Sequence, residues 1–140
     1  MNADIYPLTL FFDGACPICR REMQSLRRRD RARRLRFEDV RAPGFATPPG
    51  ATLDDLLTAL HGRTARGGLV IGVETVRLAY RAVGLGWLLA PTTWPLLRGA
   101  CEHAYLWFAR HRFALPDWLG LATFGTRARR ADCTDSSCPL

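Results

Sequence analysis

Two cysteines spaced by two residues follow an apolar stretch near the start of the chain, in the segment FFDGACPIC. Cys16 and Cys19 can form a disulfide with each other, and thiol pairs at this spacing exchange electrons with other thiols and disulfides. The same spacing supplies half of a four-thiolate site for zinc or an iron–sulfur cluster, which Cys133 and Cys138 would complete. A third use, packing in the core, explains neither the spacing nor its context. Redox exchange and metal binding are therefore both open.

The residues around the pair predict that Cys16 is ionised. LTLFF, residues 8–12, is an apolar run of strand length that ends at the turn dipeptide Asp13-Gly14. A helix is predicted over residues 17–29, because its first residue is a proline, which suits that position. Cys16 then lies at the amino-terminal edge of the helix, where free N–H groups and the helix dipole stabilise a thiolate. Its pKa should fall below the value of about 8.5 for free cysteine.

Helical spacing predicts that the two sulfurs are not equivalent. Cys19 shares a face with Met23 and Leu26, whereas Cys16 shares a face with polar residues that include Arg20. We therefore expect Cys16 to be exposed and activated, and Cys19 to be partly buried. A partly buried second thiol is placed to attack a mixed disulfide on the first, as thiol–disulfide exchange requires.

Asp13 has two interpretations. As a general base, it would accept the proton of Cys19 during exchange, directly or through water. As a turn residue, it would hold the chain by accepting hydrogen bonds from backbone N–H groups. Its negative charge would also raise the pKa of a nearby thiol, an effect that Arg20 and Arg21 would offset.

These segments resemble a known family. DGACPIC after an apolar strand is similar to the Asp-x-x-Cys-x-x-Cys signature of the DCC family of thiol–disulfide oxidoreductases, with Asp13, Cys16 and Cys19 at its named positions. Downstream, LHGRTARGGLVIGVETVRLAYRAVGLGWLLAPTTWP and YLWFARHR resemble the family's glycine-bearing hairpin, its next helix and its closing Tyr-x-x-x-Ala-x-x-Arg segment. The resemblance covers about residues 8–112. It implies a thioredoxin-like fold, Cys16 as nucleophile, Cys19 as resolving thiol and no organic cofactor.

One feature departs from thioredoxins, which place a cis-proline before the third strand of this fold to dock substrate. The residues at that place, DDLL, contain no proline, and Pro48 and Pro49 lie too early. Substrate docking in the thioredoxin manner is therefore not expected.

The remaining pattern predicts one α/β domain. LRFEDV, residues 35–40, alternates as a second strand, and the strand–helix–strand order favours a parallel pair. Further predicted elements are a short helix capped by Thr52, a hairpin that turns near His61-Gly62, a helix over 73–84 and a last helix over about 100–112. The expected fold is a mixed sheet of about four strands flanked by helices, with extra C-terminal helices. It would occupy residues 1–126, followed by a polar tail over 127–140.

The composition allows a rival function. The chain has 140 residues, is 48% hydrophobic and carries a net charge of +7, and all 20 basic residues are arginine. Seven of them lie in RRRDRARRLR, residues 27–36, which would suit a non-catalytic adaptor for RNA, lipid headgroups or an acidic protein. No aromatic residue interleaves to stack on bases, so a solvated helix end is favoured over nucleic-acid binding. The cysteines instead indicate a protein or small-molecule thiol or disulfide as the partner.

The longest uncharged stretch, residues 82–97, is too short for a membrane span and is interrupted by proline and glycine. Its part GWLLAPTTWPLL is expected to be a buried connection in which Trp87 and Trp94 pack between helices, with peripheral membrane contact as the alternative.

The first residues lack the pattern of a signal peptide, so a cytoplasmic location is expected. Five cysteines in that compartment favour redox or metal chemistry over structural disulfides.

The sequence also makes predictions for three other features. Cys101 is expected in the core, on the apolar stripe of the last helix. His61 would either lie near the cysteine pair or cap the hairpin turn in which it is predicted to lie. Cys133 and Cys138 would form a second redox pair if not a metal site, although an inert reduced tail is favoured.

Overall fold

Four strands form one mixed sheet in the computed structural model, which describes residues 3–115. The strands are β1 (Leu8–Phe12), β2 (Leu35–Asp39), β3 (His61–Arg63) and β4 (Leu69–Ile71). Their order across the sheet is β2-β1-β3-β4. β2 runs parallel to β1, whereas β3 is antiparallel to both β1 and β4. The predicted α/β fold, with a mixed sheet of about four strands and a parallel first pair, is confirmed.

Helices flank this sheet. They are α1 (Pro17–Arg29), α2 (Leu53–Thr58), α3 (Val73–Ala82) and α4 (Pro95–His111), with a 3-10 helix (Gly86–Thr93) before α4. The bounds predicted for α1 are confirmed. So is the cap of α2, where the Thr52 hydroxyl accepts from the Asp55 N–H at 3.2 Å and the Asp55 carboxylate accepts from the Thr52 N–H at 2.8 Å. α4 begins earlier than predicted, because Pro95 suits its first turn.

β1 is buried on both faces and organises the core. Its alternating side chains point to opposite faces of the sheet. Leu8 and Leu10 belong to a cluster with Met23 of α1 and Leu78 of α3. Phe11 belongs to a second cluster with Val40 and Leu56, and Leu56 lies on α2. The carboxyl end of β1, from which the cysteine segment emerges, is therefore held from both sides.

The hairpin does not turn where the sequence indicated. His61 and Gly62 lie within β3, and the turn spans Thr64 to Gly68, where the Gly67 N–H donates to the Thr64 carbonyl at 2.9 Å. Gly67 has a φ of +87°, which suits glycine. Gly62 serves a packing role instead, because a Cβ there would lie 2.8 Å from the Thr75 methyl group of α3.

The apolar segment between α3 and α4 also differs from the prediction. Trp87 is 70% exposed and Trp94 is 64% exposed, so the prediction that they pack between helices is wrong. The 3-10 helix is anchored by polar contacts, in which Arg77 of α3 donates from Nε to the Thr92 hydroxyl at 2.8 Å and from Nη2 to the Thr92 carbonyl. These contacts hold the segment without enclosing its tryptophans. No helix within residues 3–115 is long and apolar enough to cross a bilayer.

Candidate active site

Two aspartates hold the turn that joins β1 to α1. The Ala15 N–H donates to Asp13 Oδ1 at 3.0 Å, which is the turn contact expected of Asp13. The Gly14 N–H donates to Asp39 Oδ1 at 2.9 Å. Because Asp39 ends β2, this contact ties the turn to the neighbouring parallel strand. These hydrogen bonds therefore fix the position of Cys16 at the start of α1.

Cys16 is the N-cap of α1. Its Sγ accepts a hydrogen bond from the Cys19 N–H at 3.3 Å, so the sulfur occupies the place that a cap oxygen usually fills. A hydrogen bond from the Cys19 thiol is the largest cause that lowers the pKa of Cys16, and the Cys19 N–H and the Arg112 charge add to it. Together they outweigh burial and bring this pKa to about 6. The pKa of Cys19 is raised, chiefly because its thiol donates to Cys16 and is buried. One thiol is thus ionised near neutral pH while its neighbour keeps its proton.

The prediction that Cys16 is exposed is wrong, whereas Cys19 is partly buried as predicted. Cys16 is 0% exposed, whereas Cys19 is only partly buried. Helical spacing failed here because Cys16 is not helical: its φ of −85° and ψ of 113° are those of extended backbone. The N-cap conformation turns its sulfur back over the first turn of α1.

Asp13 is 2% exposed and contacts two arginines. Arg41 Nε donates to Oδ1 at 2.5 Å, and Arg112 Nη2 donates to Oδ2 at 3.3 Å. Burial raises the pKa of Asp13, but the Arg41 hydrogen bond, the Ala15 N–H and the charges of both arginines outweigh it, so the pKa lies below its usual value. A carboxylate held in this way remains ionised.

Neither Arg41 nor Arg112 was selected from the sequence. Arg112 directly follows α4, is 9% exposed and lies with Nη1 3.9 Å from Cys19 Sγ. Its Nη2 also donates to the Leu57 carbonyl in α2. The available signal was the closing segment of the resemblance, since Tyr105 and Arg112 are seven positions apart and share a helical face. Arg41 carried no comparable signal within its loop.

A cavity of about 330 Å³ opens beside Cys19. Most of its lining is apolar, with Met23 and Phe108 among the contributing residues. Arg112 and Glu22 supply polar groups, and the Glu22 carboxylate accepts a hydrogen bond from the Tyr80 hydroxyl. Cys19, the more exposed of the two cysteine residues, therefore lines a largely apolar space.

Tyr105 of α4 contacts the backbone just before β3. Ala59 and Leu60 precede β3, and the Leu60 N–H donates to the Tyr105 hydroxyl at 2.8 Å. The backbone N–H just before β3 therefore already has a hydrogen-bond acceptor, which a side chain of α4 supplies.

Replacing Tyr105 with phenylalanine is expected to destabilise the fold by about 1–2 kcal/mol, because the partly buried Leu60 N–H loses its acceptor. Urea unfolding measures the loss, and amide exchange at Leu60 should accelerate. Tyr6→Phe is the matched control, since the Tyr6 hydroxyl bonds the Leu78 carbonyl at 2.8 Å and should leave Leu60 exchange unchanged. Unaltered Leu60 exchange in Tyr105→Phe would contradict this role.

The remaining residues named from the sequence are Cys101, His61, Cys133 and Cys138. Cys101 is only partly buried, so its assignment to the core is wrong; α4 has no buried residue within its bounds. His61 is 4% exposed and donates from Nδ1 to the Ala59 carbonyl at 2.9 Å, within a strand rather than at a turn. Cys133 and Cys138 lie outside residues 3–115. Within that range, no group of three or more His, Cys, Asp or Glu side chains is placed to hold a metal ion.

Comparisons with known proteins find similarity over most of the chain. A family model described as DCC1-like thiol-disulfide oxidoreductase matches residues 10–118. An uncharacterized chloroplastic protein of Arabidopsis thaliana is 27% identical over 110 residues, which is 76% of this chain and 51% of that protein. The chain therefore spans about half the length of that relative. No solved structure matches.

Proposed function

Since the chain belongs to the DCC1-like thiol-disulfide oxidoreductase family, we propose that it exchanges dithiol for disulfide at Cys16 and Cys19. The observation that carries the proposal is the N-cap geometry, in which Cys16 Sγ accepts the Cys19 N–H at 3.3 Å and the pKa of Cys16 is lowered to about 6. A thiolate is the nucleophile in disulfide exchange, and an optimal attacking thiol has a pKa near the ambient pH.

The reaction starts from the Cys16 thiolate and the Cys19 thiol. Cys16 Sγ attacks one sulfur of the substrate disulfide, whose S–S bond breaks and releases one substrate thiolate. Cys19 then loses its proton and attacks Cys16 Sγ, which breaks the mixed disulfide and releases the second substrate thiolate. Two electrons pass to the substrate, and the enzyme is left with a Cys16–Cys19 disulfide. The reverse reaction uses the same steps, and the reduction potentials of the two couples decide the direction.

In this reaction we assign Asp13 a positioning role. Its pKa is lowered by Arg41, the Ala15 N–H and Arg112 against the effect of burial, so its carboxylate is a weak proton acceptor. Its contacts instead fix the turn before Cys16 and the guanidinium beside Cys19. The proton of Cys19 then leaves to water or to the departing substrate thiolate.

The burial of Cys16 limits which substrates react. A substrate sulfur meets Cys16 only after neighbouring groups move, because this residue is 0% exposed. The largely apolar cavity beside Cys19 supports a substrate that presents a compact apolar group next to its disulfide. Both a small molecule and an apolar side chain of a protein satisfy that condition.

The pH dependence of alkylation tests the proposal. Because the pKa of Cys16 is lowered, the thiolate is present above pH about 6 and is lost as the pH falls through that value. The rate of Cys16 alkylation by iodoacetamide should therefore rise between pH 5 and pH 7 and then level off, roughly two pH units below the rise for free glutathione. Mass spectrometry of the tryptic peptide 1–20, which contains Cys16 and Cys19, measures the rate.

Two results, one from this experiment and one from a reduction assay, would count against the proposal. The first is a Cys16 profile that coincides with that of glutathione. The second is failure of the reduced protein to reduce a small aromatic disulfide at pH 7, where the thiolate should be present.

A further inference from the structure

Arg112 is fixed beside the thiol pair by contacts from several parts of the fold. Its Nη2 donates to Asp13 Oδ2 at 3.3 Å and to the Leu57 carbonyl in α2. Its guanidinium carbon lies 5.0 Å from the centre of the Phe113 ring. With Nη1 at 3.9 Å from Cys19 Sγ, the charge is held next to the reacting sulfurs.

This arrangement is not explained by stability alone. Arg112 is 9% exposed, and its Nε is a buried donor without a hydrogen-bond partner among the described residues. A buried guanidinium with an unsatisfied N–H is costly, and an apolar side chain would fill the same space without that cost. Asp13 already has Arg41 as a second partner, so Arg112 is not needed to neutralise it.

The charge of Arg112 acts differently on the two redox states. The reduced pair carries a negative charge when Cys16 is ionised, whereas a Cys16–Cys19 disulfide carries none. A fixed positive charge beside the pair therefore stabilises the reduced, ionised form and leaves the disulfide unaffected. By linkage, any group that stabilises only the reduced form raises the reduction potential of the couple.

We propose that Arg112 is a positioning residue that sets the reduction potential of the Cys16–Cys19 couple by holding a fixed positive charge against its thiolate form. The proposal rests on the proposed function, since it requires the pair to cycle between dithiol and disulfide. The charged and titratable groups that face Arg112 or share its cavity are Asp13, Cys16, Cys19, Glu22, Tyr80 and Tyr105. Of these, Cys16 changes its charge with the redox state.

The test compares variants of the full chain equilibrated in glutathione redox buffers. The oxidised fraction of Cys16–Cys19 is read by alkylation and mass spectrometry of the tryptic peptide 1–20. At pH 7, Arg112→Gln should shift the equilibrium about tenfold toward the disulfide, which corresponds to a potential about 30 mV lower. Arg110→Gln removes the same charge from an exposed position on α4 and should stay within about threefold of wild type, as should Arg112→Lys.

The pH dependence separates a charge effect from a structural one. At pH 4.5, both thiols of the reduced form are protonated, so the difference between wild type and Arg112→Gln should shrink to less than about threefold. Loss of packing alone would shift the equilibrium equally at both pH values. Arg112→Met, which requires no hydrogen bond, is the second neutral variant in case Arg112→Gln does not fold.

The failures of the two proposals are distinguishable. If the wild-type peptide never equilibrates with glutathione, the proposed exchange function is wrong. Suppose that wild type equilibrates, but the dithiol–disulfide equilibrium constant of a folded neutral variant stays within threefold of the wild-type value at pH 7. The proposed role of Arg112 is then wrong. A shift in Arg112→Lys as large as that in Arg112→Gln would also overturn it.

Discussion

Replacing Cys16 with serine is expected to slow disulfide exchange by at least roughly a thousandfold, because a serine hydroxyl stays protonated at neutral pH and does not attack sulfur. The fold should survive, since the introduced hydroxyl oxygen can accept the Cys19 N–H as cap residues usually do. Reduction of a small aromatic disulfide by the reduced protein measures the loss. Cys101→Ser is the matched control, since this thiol lies on α4 and is expected to leave the rate unchanged.

Cys19→Ser should give a different result from Cys16→Ser. Cys16 can still attack a substrate, but no second thiol resolves the mixed disulfide, so substrates should remain covalently attached to Cys16. Non-reducing electrophoresis detects these adducts, and mass spectrometry identifies what is attached. Equal exchange rates in Cys16→Ser and wild type would exclude the proposed chemistry.

Replacing Gly14 with alanine is expected to destabilise the protein by about 1–3 kcal/mol and to disturb the cysteine turn. A Cβ at this position would lie 1.9 Å from Asp39 Oδ2. Asp39 would have to move, although its Oδ1 accepts the N–H groups of both Gly14 and Arg41 at 2.9 Å. Chemical denaturation measures the stability, and Cys16 alkylation at pH 6 should slow as the turn shifts.

A second glycine provides the control for this substitution. Gly99 lies within α4, and a Cβ there meets nothing within 4 Å. Gly99→Ala should therefore be neutral or stabilise the protein by up to about 1 kcal/mol, because alanine is the better helix former. Equal effects of Gly14→Ala and Gly99→Ala on the free energy of unfolding would show that contact with Asp39 does not restrict which residue fits at position 14.

Local signals predicted the first part of the fold well. The bounds of β1 and α1 follow from an apolar run, a turn dipeptide and a proline, all within a few residues of one another. The Thr52 cap of α2 could also be predicted, because a cap depends on residues within three positions of one another. The location of Cys16 at a helix start could therefore be predicted from sequence.

What could not be predicted depends on conformation or on distant contacts. The burial of Cys16 follows from the extended backbone of the N-cap residue, to which helical spacing does not apply. Trp87 is exposed in a 3-10 helix that Arg77 of α3 anchors through Thr92, a contact across 15 positions that no local pattern specifies. The contact of Arg112 with Cys19 joins residues 93 positions apart, beyond the reach of spacing rules.

That separation has a consequence during synthesis. A ribosome adding about 5–20 residues per second needs roughly 5 to 20 seconds to progress from Cys19 to Arg112. Throughout this interval the nascent chain lacks the guanidinium that the folded protein holds 3.9 Å from Cys19 Sγ. The contact between Arg112 and Cys19 therefore forms only after α4 has been translated, although β1 and α1, which position Cys16, are synthesised near the start of the chain.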